Sequence, residues 1–581
     1  MMKTIRMTLC LVLAALLLAG CAAPPTLAGV IEQPKEEREG MLPIRPFEEM
    51  AYSRPSVTAL RLKVLAVELA LKTHAPYKIV EAALDACYEA YYRFDTMSSL
   101  AYIRNSQDMR DSFYAAENTW CDEKSATVNM LMEKMYYACG MSPMAEELEE
   151  KYFWEGFAEE YADDSNATYD EEMVALMEQE AGLMAEYRSL VASPTIVWKG
   201  EEVDYYSLLE EVGGFDYWNA FLLYYETYNE PVADVYIRLV KVRQAMAEHL
   251  GYDSYEQMQF DYYFERDYTP EQAAQYVADI KTWLVPLYEE LSAGGDLYDN
   301  GDDALAEDRL YDILAAGVQS MGGQVQETFD YMSRYHLYDI SFSNYKADMS
   351  FQTYLSDYEA PFLFMDPEGS LSDVTTFSHE FGHCLDAYVN YNAGETIDLA
   401  ETYSQAMEFL MLDRLDGELS QHEIDTLRRI KLVDTLAMYV QQASFAEFER
   451  EVYAADPDSL TPDFLNKLSL RVAKDYGYYE SWSEQYYAMS WIDIVHYFEV
   501  PFYVITYPVS NDVAMQIYEL ELEREGAGLE KYLEILPREY EGIIDTAVNG
   551  GLQSPFAPGR VRDVTVLLRE LLGARALDAA A

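Results

Sequence analysis

Apolar positions recur at helical spacing through most of the 581 residues. Leu60, Val64, Val67 and Leu71 mark one face of a helix that ends near Lys72-Thr73-His74-Ala75-Pro76. Further helical stretches follow through Tyr137, and Leu239 to Ala247 continues the pattern. Thr426 to Ala455 predicts one long helix with Leu432, Leu436, Tyr439 and Ala443 inward. Strand-like character is confined to about residues 338–366. There Phe362-Leu363-Phe364 reads either as an edge strand offering backbone groups to an extended peptide or as a buried connector. Val374, Phe377, Phe381, Leu385 and Tyr388 then give one more helix a face to bury. Ser370-Leu371-Ser372-Asp373 offers its capping side chains, and Asn390, Asn392 and Gly394 its end. The pattern is that of a mainly α chain.

That last helix carries His379-Glu380-Phe381-Gly382-His383. At 3.6 residues per turn the two imidazoles lie about 40° apart around the axis, one turn up, so both reach a single ion. Glu380 stands beside them as a proton acceptor rather than a ligand. With only seven histidines in the chain, the pattern is specific. A peptidase-type zinc site needs a third protein ligand and an open fourth position. Residues 398–408 predict a second helix, and Glu395, Glu401 and Glu408 are the candidates. Glu401 and Glu408 are seven apart and share a face, so one can bind metal while the other orients a histidine. Asp398-x-x-Glu401 also fits a capping box, and spacing alone leaves the third ligand open.

His379-Glu380-Phe381-Gly382-His383 followed by Asp398-Leu399-Ala400-Glu401-x-x-Ser404-Gln405-x-x-Glu408 resembles the thimet oligopeptidase and oligoendopeptidase F family of zinc peptidases. Pro361 to Met365 with Gly369 to Val374, Phe445 to Glu451, and His496-Tyr497-x-x-x-Pro501-Phe502-Tyr503-x-x-x-Tyr507 add to the likeness. The resemblance covers about residues 235–556. It implies a mainly α, zincin-type fold: two helical lobes around a deep cleft, with a small β-sheet next to the zinc helix. It also implies one Zn2+ per chain on His379, His383 and Glu401, leaving Glu408 to orient a histidine. Glu380 would be the general base, with His496 and Tyr503 as oxyanion donors. Tyr507, Phe364 and Gly369 would be substrate-binding. The implied activity is endopeptidase cleavage of short unstructured oligopeptides. A zinc carboxypeptidase and a non-catalytic peptide-binding lipoprotein are the competing readings, and the latter has no need of a general base. The chain departs from the family in having Asp386 where many members carry a histidine, and in a shorter connection from His383 to Glu401.

Composition adds the setting. The chain is long and apolar enough to bury a large core. A net charge of −62 argues against nucleic acid and against adsorption to anionic lipid, and a monomer is expected. The start, Met1 to Arg6 followed by the apolar run Met7 to Leu18, reads as a secretory signal too short to span a membrane. Leu18-Ala19-Gly20-Cys21 resembles a bacterial lipoprotein processing site, so Cys21 is the expected lipidation point and the chain an extracytoplasmic, membrane-anchored one. The expected organisation is a signal peptide at 1–20, a lipidated, proline-rich tether at 21–48, an N-terminal helical region at 49–200, the catalytic region at 201–560 and a helical tail at 561–581. Cys87, Cys121, Cys139 and Cys384 show no zinc-finger or disulfide spacing, although Cys121 and Cys139 are able to bridge.

Overall fold

Ser56 starts the first long helix by accepting a hydrogen bond from the Ala59 N–H, as a serine N-cap does. The computed structural model describes residues 42–153, 156–161, 171–294, 304–392, 396–415, 417–478, 483–537 and 542–573. The signal peptide, Cys21, most of the tether, Gly394, Glu395 and the end of the tail lie outside the described residues.

The elements used below are, in chain order, α1 (Val57–Lys72), α2 (Tyr77–Gln107), α3 (Ser112–Gly140), α4 (Glu171–Ala192), β1 (Thr195–Trp198), β2 (Glu201–Asp204) and α5 (Phe215–His249). They continue with β3 (Tyr338–Asp339), β4 (Ser350–Leu355), β5 (Ala360–Met365), α6 (Asp373–Asn390), α7 (Ile397–Leu412) and α8 (Gln421–Ala454). The last are α9 (Val495–Glu499), α10 (Thr506–Glu523) and α11 (Arg560–Leu571). Among the described residues no helix is long and apolar enough to cross a membrane.

Two apolar cores organise these helices. The smaller one gathers buried side chains from Leu60 to Tyr161, with α1, α2 and α3 packed together. The larger one holds the sheet and α4 through α11. Helix α2 belongs to both, because Val80 and Leu84 near its start face the first core while Met97, Leu100 and Ile103 face the second. The tail helix α11 buries Val561, Val564 and Leu568 in the larger core. The long helix is as expected: α8 spans Gln421–Ala454 with Leu432, Leu436, Tyr439 and Ala443 buried, and Ser420 with Glu423 forms its capping box.

The strands depart from expectation twice. A second sheet exists, the hairpin β1–β2, turning at Lys199 and Gly200, which both have positive φ. That is a type I′ turn built without the usual Asn-Gly pair. The main sheet has the order β3-β5-β4, so β5 is its centre and not an edge. Phe362, Leu363 and Phe364 are fully buried there, each strand face being covered. Phe364 stacks on Phe351 of β4 with ring centroids 4.9 Å apart. The outer strands are β3 and β4, the latter antiparallel to β5 with Gln352 opposite Leu363.

The start of α6 differs in detail. Ser372 occupies the N-cap, but its hydroxyl makes no cap bond to the first turn. Asp373 instead turns back and accepts from the N–H groups of Glu368, Gly369 and Ser370 at 2.9, 2.8 and 3.1 Å. Gly369, at φ +79°, also gives its carbonyl to the Leu305 N–H and so helps build this turn. The helix ends at Tyr391 and Asn392, both left-handed.

Helices α6 and α7 cross at Gly382. A Cβ there would lie 2.6 Å from Ser404 Cα and 2.8 Å from Tyr403 O, both rigid backbone atoms. Gly382→Ala should therefore cost about 1–3 kcal/mol or more through overpacking. Urea unfolding of the variant checks this, and an unchanged midpoint would mean the crossing has slack.

Candidate metal centre

The helical period places His379 and His383 on one face of α6, and the crossing at Gly382 brings α7 against that face. The Nε2 atoms of the two histidines are 3.2 Å apart, and His379 Nε2 is 3.6 Å from Glu401 Oε2. One ligand atom from each of the three residues lies within 4.8 Å of the others. Donors around a tetrahedral zinc at 2.0–2.1 Å stand about 3.3 Å from one another, so the His379–His383 and His379–Glu401 spacings suit such an ion.

Glu401 is free to point there because the capping-box alternative is not taken up. Thr396 is the N-cap of α7, and Asp398 is buried beside Arg266 (3.5 Å) and the Tyr268 hydroxyl (3.2 Å). Glu401 Oε1 accepts from the Tyr503 hydroxyl at 3.0 Å, and Ser404 Oγ lies 3.4 Å from Oε2. Glu408, one helical face further along, sits 3.0 Å from His379 Nδ1. That bond holds the proton on Nδ1 and turns the Nε2 lone pair toward the other two ligands. Glu408 Oε2 is in turn 2.6 Å from Lys431 Nζ of α8.

Charges follow from these contacts. Burial pushes Glu408 up, but Lys431 and His379 outweigh it and hold the carboxyl below its ordinary range. Burial lowers His379, yet the bond to Glu408 and the charges of Glu401, Glu408 and Glu380 carry it up to about 9. His383 is driven well down by burial and by His379. Burial pushes Glu401 up, against the His379 charge and the Tyr503 hydroxyl. Glu380 is pushed up to about 7, first by burial. The Gln352 N–H on β4 acts the other way, and Glu380 Oε2 has no hydrogen-bond partner among the described residues. An acidic, largely buried pocket with one unsatisfied carboxylate oxygen suits a divalent cation and a base beside it.

Facing this set is the aromatic wall of α9 and the turn after it. His496 and Tyr503 have ring centroids 5.5 Å apart, and Tyr503 and Tyr507 5.2 Å. His496 is half-buried and lowered to about 4 by burial, so it is a neutral imidazole. Its Nε2 lies 3.5 Å from the Tyr507 hydroxyl. Tyr503 is buried with its hydroxyl on Glu401, while Tyr507 is partly open and is pushed up by burial and by the charges of Glu401 and Glu380. Of the residues singled out from the sequence, His379, Glu380, His383, Glu401, Glu408, His496, Tyr503 and Tyr507 thus come together. Phe364 and Gly369 lie in the sheet and the turn behind them.

Two participants were not foreseen. Lys431 stands in an apolar stretch, Ile430-Lys431-Leu432-Val433, where a lysine on an inward face is the only sequence signal. Glu449, also on α8, accepts from the Phe502 N–H at 2.7 Å. Phe502 has φ +63°, and this bond helps hold the left-handed turn that aims Tyr503 at Glu401. Burial pushes Glu449 up to about 8, opposed by the Phe502 N–H and Arg243.

Lys431→Met should loosen Glu408 and, through it, His379. The expected loss is about 10- to 100-fold in metal affinity. A competition titration against a zinc-binding dye reads this directly, and parental affinity would make Lys431 a packing residue only.

The family model "Peptidase M3 N-terminal domain" matches residues 47–180, and "Peptidase family M3" matches residues 325–538. Together they span more than half of the chain. The chromosomal oligoendopeptidase F of Lactococcus lactis subsp. cremoris is 27% identical over 202 residues, 30% of this chain and 30% of that protein. Oligopeptidase PepF of Bacillus subtilis (strain 168) is 23% identical over 189 residues, 30% of this chain and 28% of its own length. The matched stretches therefore span under a third of these curated relatives. A 3.1 Å X-ray structure described as an oligoendopeptidase F superposes with TM-score 0.76 at 25% identity, covering 92% of this chain and 99% of that one. The mostly helical fold with its small sheets is that of these structures. On its two matched regions and this likeness, the chain belongs to peptidase family M3 and is of the oligoendopeptidase F type.

Proposed function

We propose that the protein is a zinc-dependent endopeptidase that hydrolyses short unstructured peptides outside the cytoplasmic membrane. The observation that carries the reading is the convergence of His379, His383 and Glu401 beside Glu380, whose Oε2 has no hydrogen-bond partner among the described residues. The place of β4 as an outer strand of the sheet supports a peptide substrate. Its far end is closed by helix α2, where Ser99 Oγ donates to the Tyr354 carbonyl, while the stretch around Gln352 lies toward Glu380. Extended backbone added there meets main-chain donors and acceptors without regard to sequence.

His379, His383 and Glu401 would hold a zinc ion, which, when bound, would supply Lewis acidity toward the scissile carbonyl and acidify water. Glu408 and Lys431 keep His379 in the required tautomer, and the Tyr503 hydroxyl orients Glu401. Glu380 takes the proton of the attacking water and returns it to the leaving amine. The Tyr507 hydroxyl and His496 stand on the opposite wall as donors to the developing oxyanion. Neutral His496 and a Tyr507 hydroxyl that keeps its proton both suit that role. Anchoring through Cys21 and the tether is part of the same reading.

Product analysis on an internally quenched peptide, with and without a zinc chelator, tests it. Internal cleavage that the chelator abolishes and added zinc restores is expected. Stepwise release of single C-terminal residues would make the protein a carboxypeptidase, and an intact peptide that stays bound would make it a binding protein.

A further inference from the structure

Helix α1 carries apolar residues on both faces. Leu60, Val64, Val67 and Leu71 are buried against α2 and α3, as the periodicity requires. On the opposite side Leu62, Leu65 and Leu69 are 62%, 50% and 62% exposed, and Ile79 at the start of α2 is 55% exposed. At 100° per residue the three leucines fall within an arc of about 60°. Single exposed leucines are ordinary, but three aligned on one stripe are not. Arg61 and Lys72 flank the stripe on one side and Lys63 on the other, all exposed, and Lys78 follows at the start of α2.

The charge of this segment runs against that of the whole chain. Residues 57–79 hold four basic side chains and one acidic one, Glu68, whereas the chain holds 41 basic and 103 acidic residues. None of the four basic groups forms an ion pair among the described residues; Glu81 pairs with Lys151 at 2.5 Å, and Glu147 and Glu150 act on Tyr77 beside them. An apolar stripe with basic borders is the pattern of a helix lying in the headgroup layer of an anionic bilayer. Electrostatic attraction to such a surface acts within a Debye length of about 8 Å, so the local patch governs the contact and the distant negative charge does not.

We propose that the outer face of α1 docks on a bilayer of anionic phospholipid. From the expected lipidation point at Cys21 to Leu42 the chain can span at most about 75 Å, enough to leave the orientation of the catalytic body open. A second contact through α1 sets that orientation, with the acyl anchor supplying most of the affinity. Only this orienting purpose rests on the proposed anchoring; the contact itself is a property of the described surface.

The test uses the mature chain with Cys21→Ala, so that no acyl chain contributes. Its co-sedimentation is measured with vesicles of phosphatidylcholine alone and of equal parts phosphatidylcholine and phosphatidylglycerol. Binding roughly tenfold or more stronger to the anionic vesicles is expected. Leu65→Glu with Leu69→Glu, and Arg61→Glu with Lys63→Glu and Lys72→Glu, should each abolish it while cleavage of a soluble quenched peptide stays parental. No binding, equal binding to both vesicles, or full binding by either variant overturns the proposal. So does a dimer in light scattering that Leu65→Glu dissolves, because the stripe would then be an interface between copies. Loss of peptide cleavage in the parent would instead bear on the proposed activity and leave the vesicle result readable.

Discussion

Glu380→Gln should retain zinc and lose turnover by about 10²–10⁴-fold, the range of a positioned general base. The side chain is 7% exposed, has one oxygen without a hydrogen-bond partner among the described residues, and is pushed up to about 7 chiefly by burial. A carboxyl near neutrality both takes and returns a proton, which a base that later acts as an acid must do. Glutamine keeps the shape and the contact with the Gln352 N–H side of the pocket but accepts no proton. Burial costs it less than it costs a carboxylate, so the fold is expected to tolerate it. Metal content by elemental analysis and kcat on a quenched peptide are the two readouts. Parental kcat with bound zinc would remove Glu380 from the chemistry, and lost zinc would make it a structural partner of the ligands.

The centre was legible where local geometry decides. The four-residue spacing of His379 and His383 is the helix period itself, and Glu401 and Glu408 share a helix face by the same arithmetic. What stayed hidden depends on which elements meet in space. Strand order made Phe364 central and β4 an outer strand, and an alternation of apolar residues reads the same in either position. Lys431 reaches Glu408 from another helix, and Glu449 steadies Phe502 across 53 positions of sequence. Neither pairing leaves a periodic signal. The hairpin β1–β2 was missed because four-residue strands and a Lys-Gly turn fall below any pattern threshold. Side-chain caps do not follow the sequence pattern, because Asp373 and Asp398 find partners away from their own helix starts.

The two tyrosines of the aromatic wall should separate under mutation. Tyr503 donates to Glu401 Oε1 at 3.0 Å from a buried position, held by the Phe502 turn and Glu449. Removing that hydroxyl leaves a carboxylate oxygen short of a donor, a loss of about 1.5–3 kcal/mol for a bond to a charged group. Tyr503→Phe is therefore expected to weaken metal affinity on the order of 10- to 100-fold and to slow turnover partly through the displaced ligand. Tyr507 is partly open, with its hydroxyl 3.5 Å from His496 Nε2 and its ring 5.2 Å from that of Tyr503. Its hydroxyl is free to meet an oxyanion, so Tyr507→Phe should lower kcat by about 10²–10³-fold with metal affinity and KM nearly unchanged. Zinc titration beside steady-state kinetics on one peptide distinguishes the two. If Tyr503→Phe spares metal affinity and lowers kcat alone, its hydroxyl leaves Glu401 during the reaction and is itself the oxyanion donor. If Tyr507→Phe changes KM and not kcat, Tyr507 grips the substrate and His496 is left as the donor on that wall.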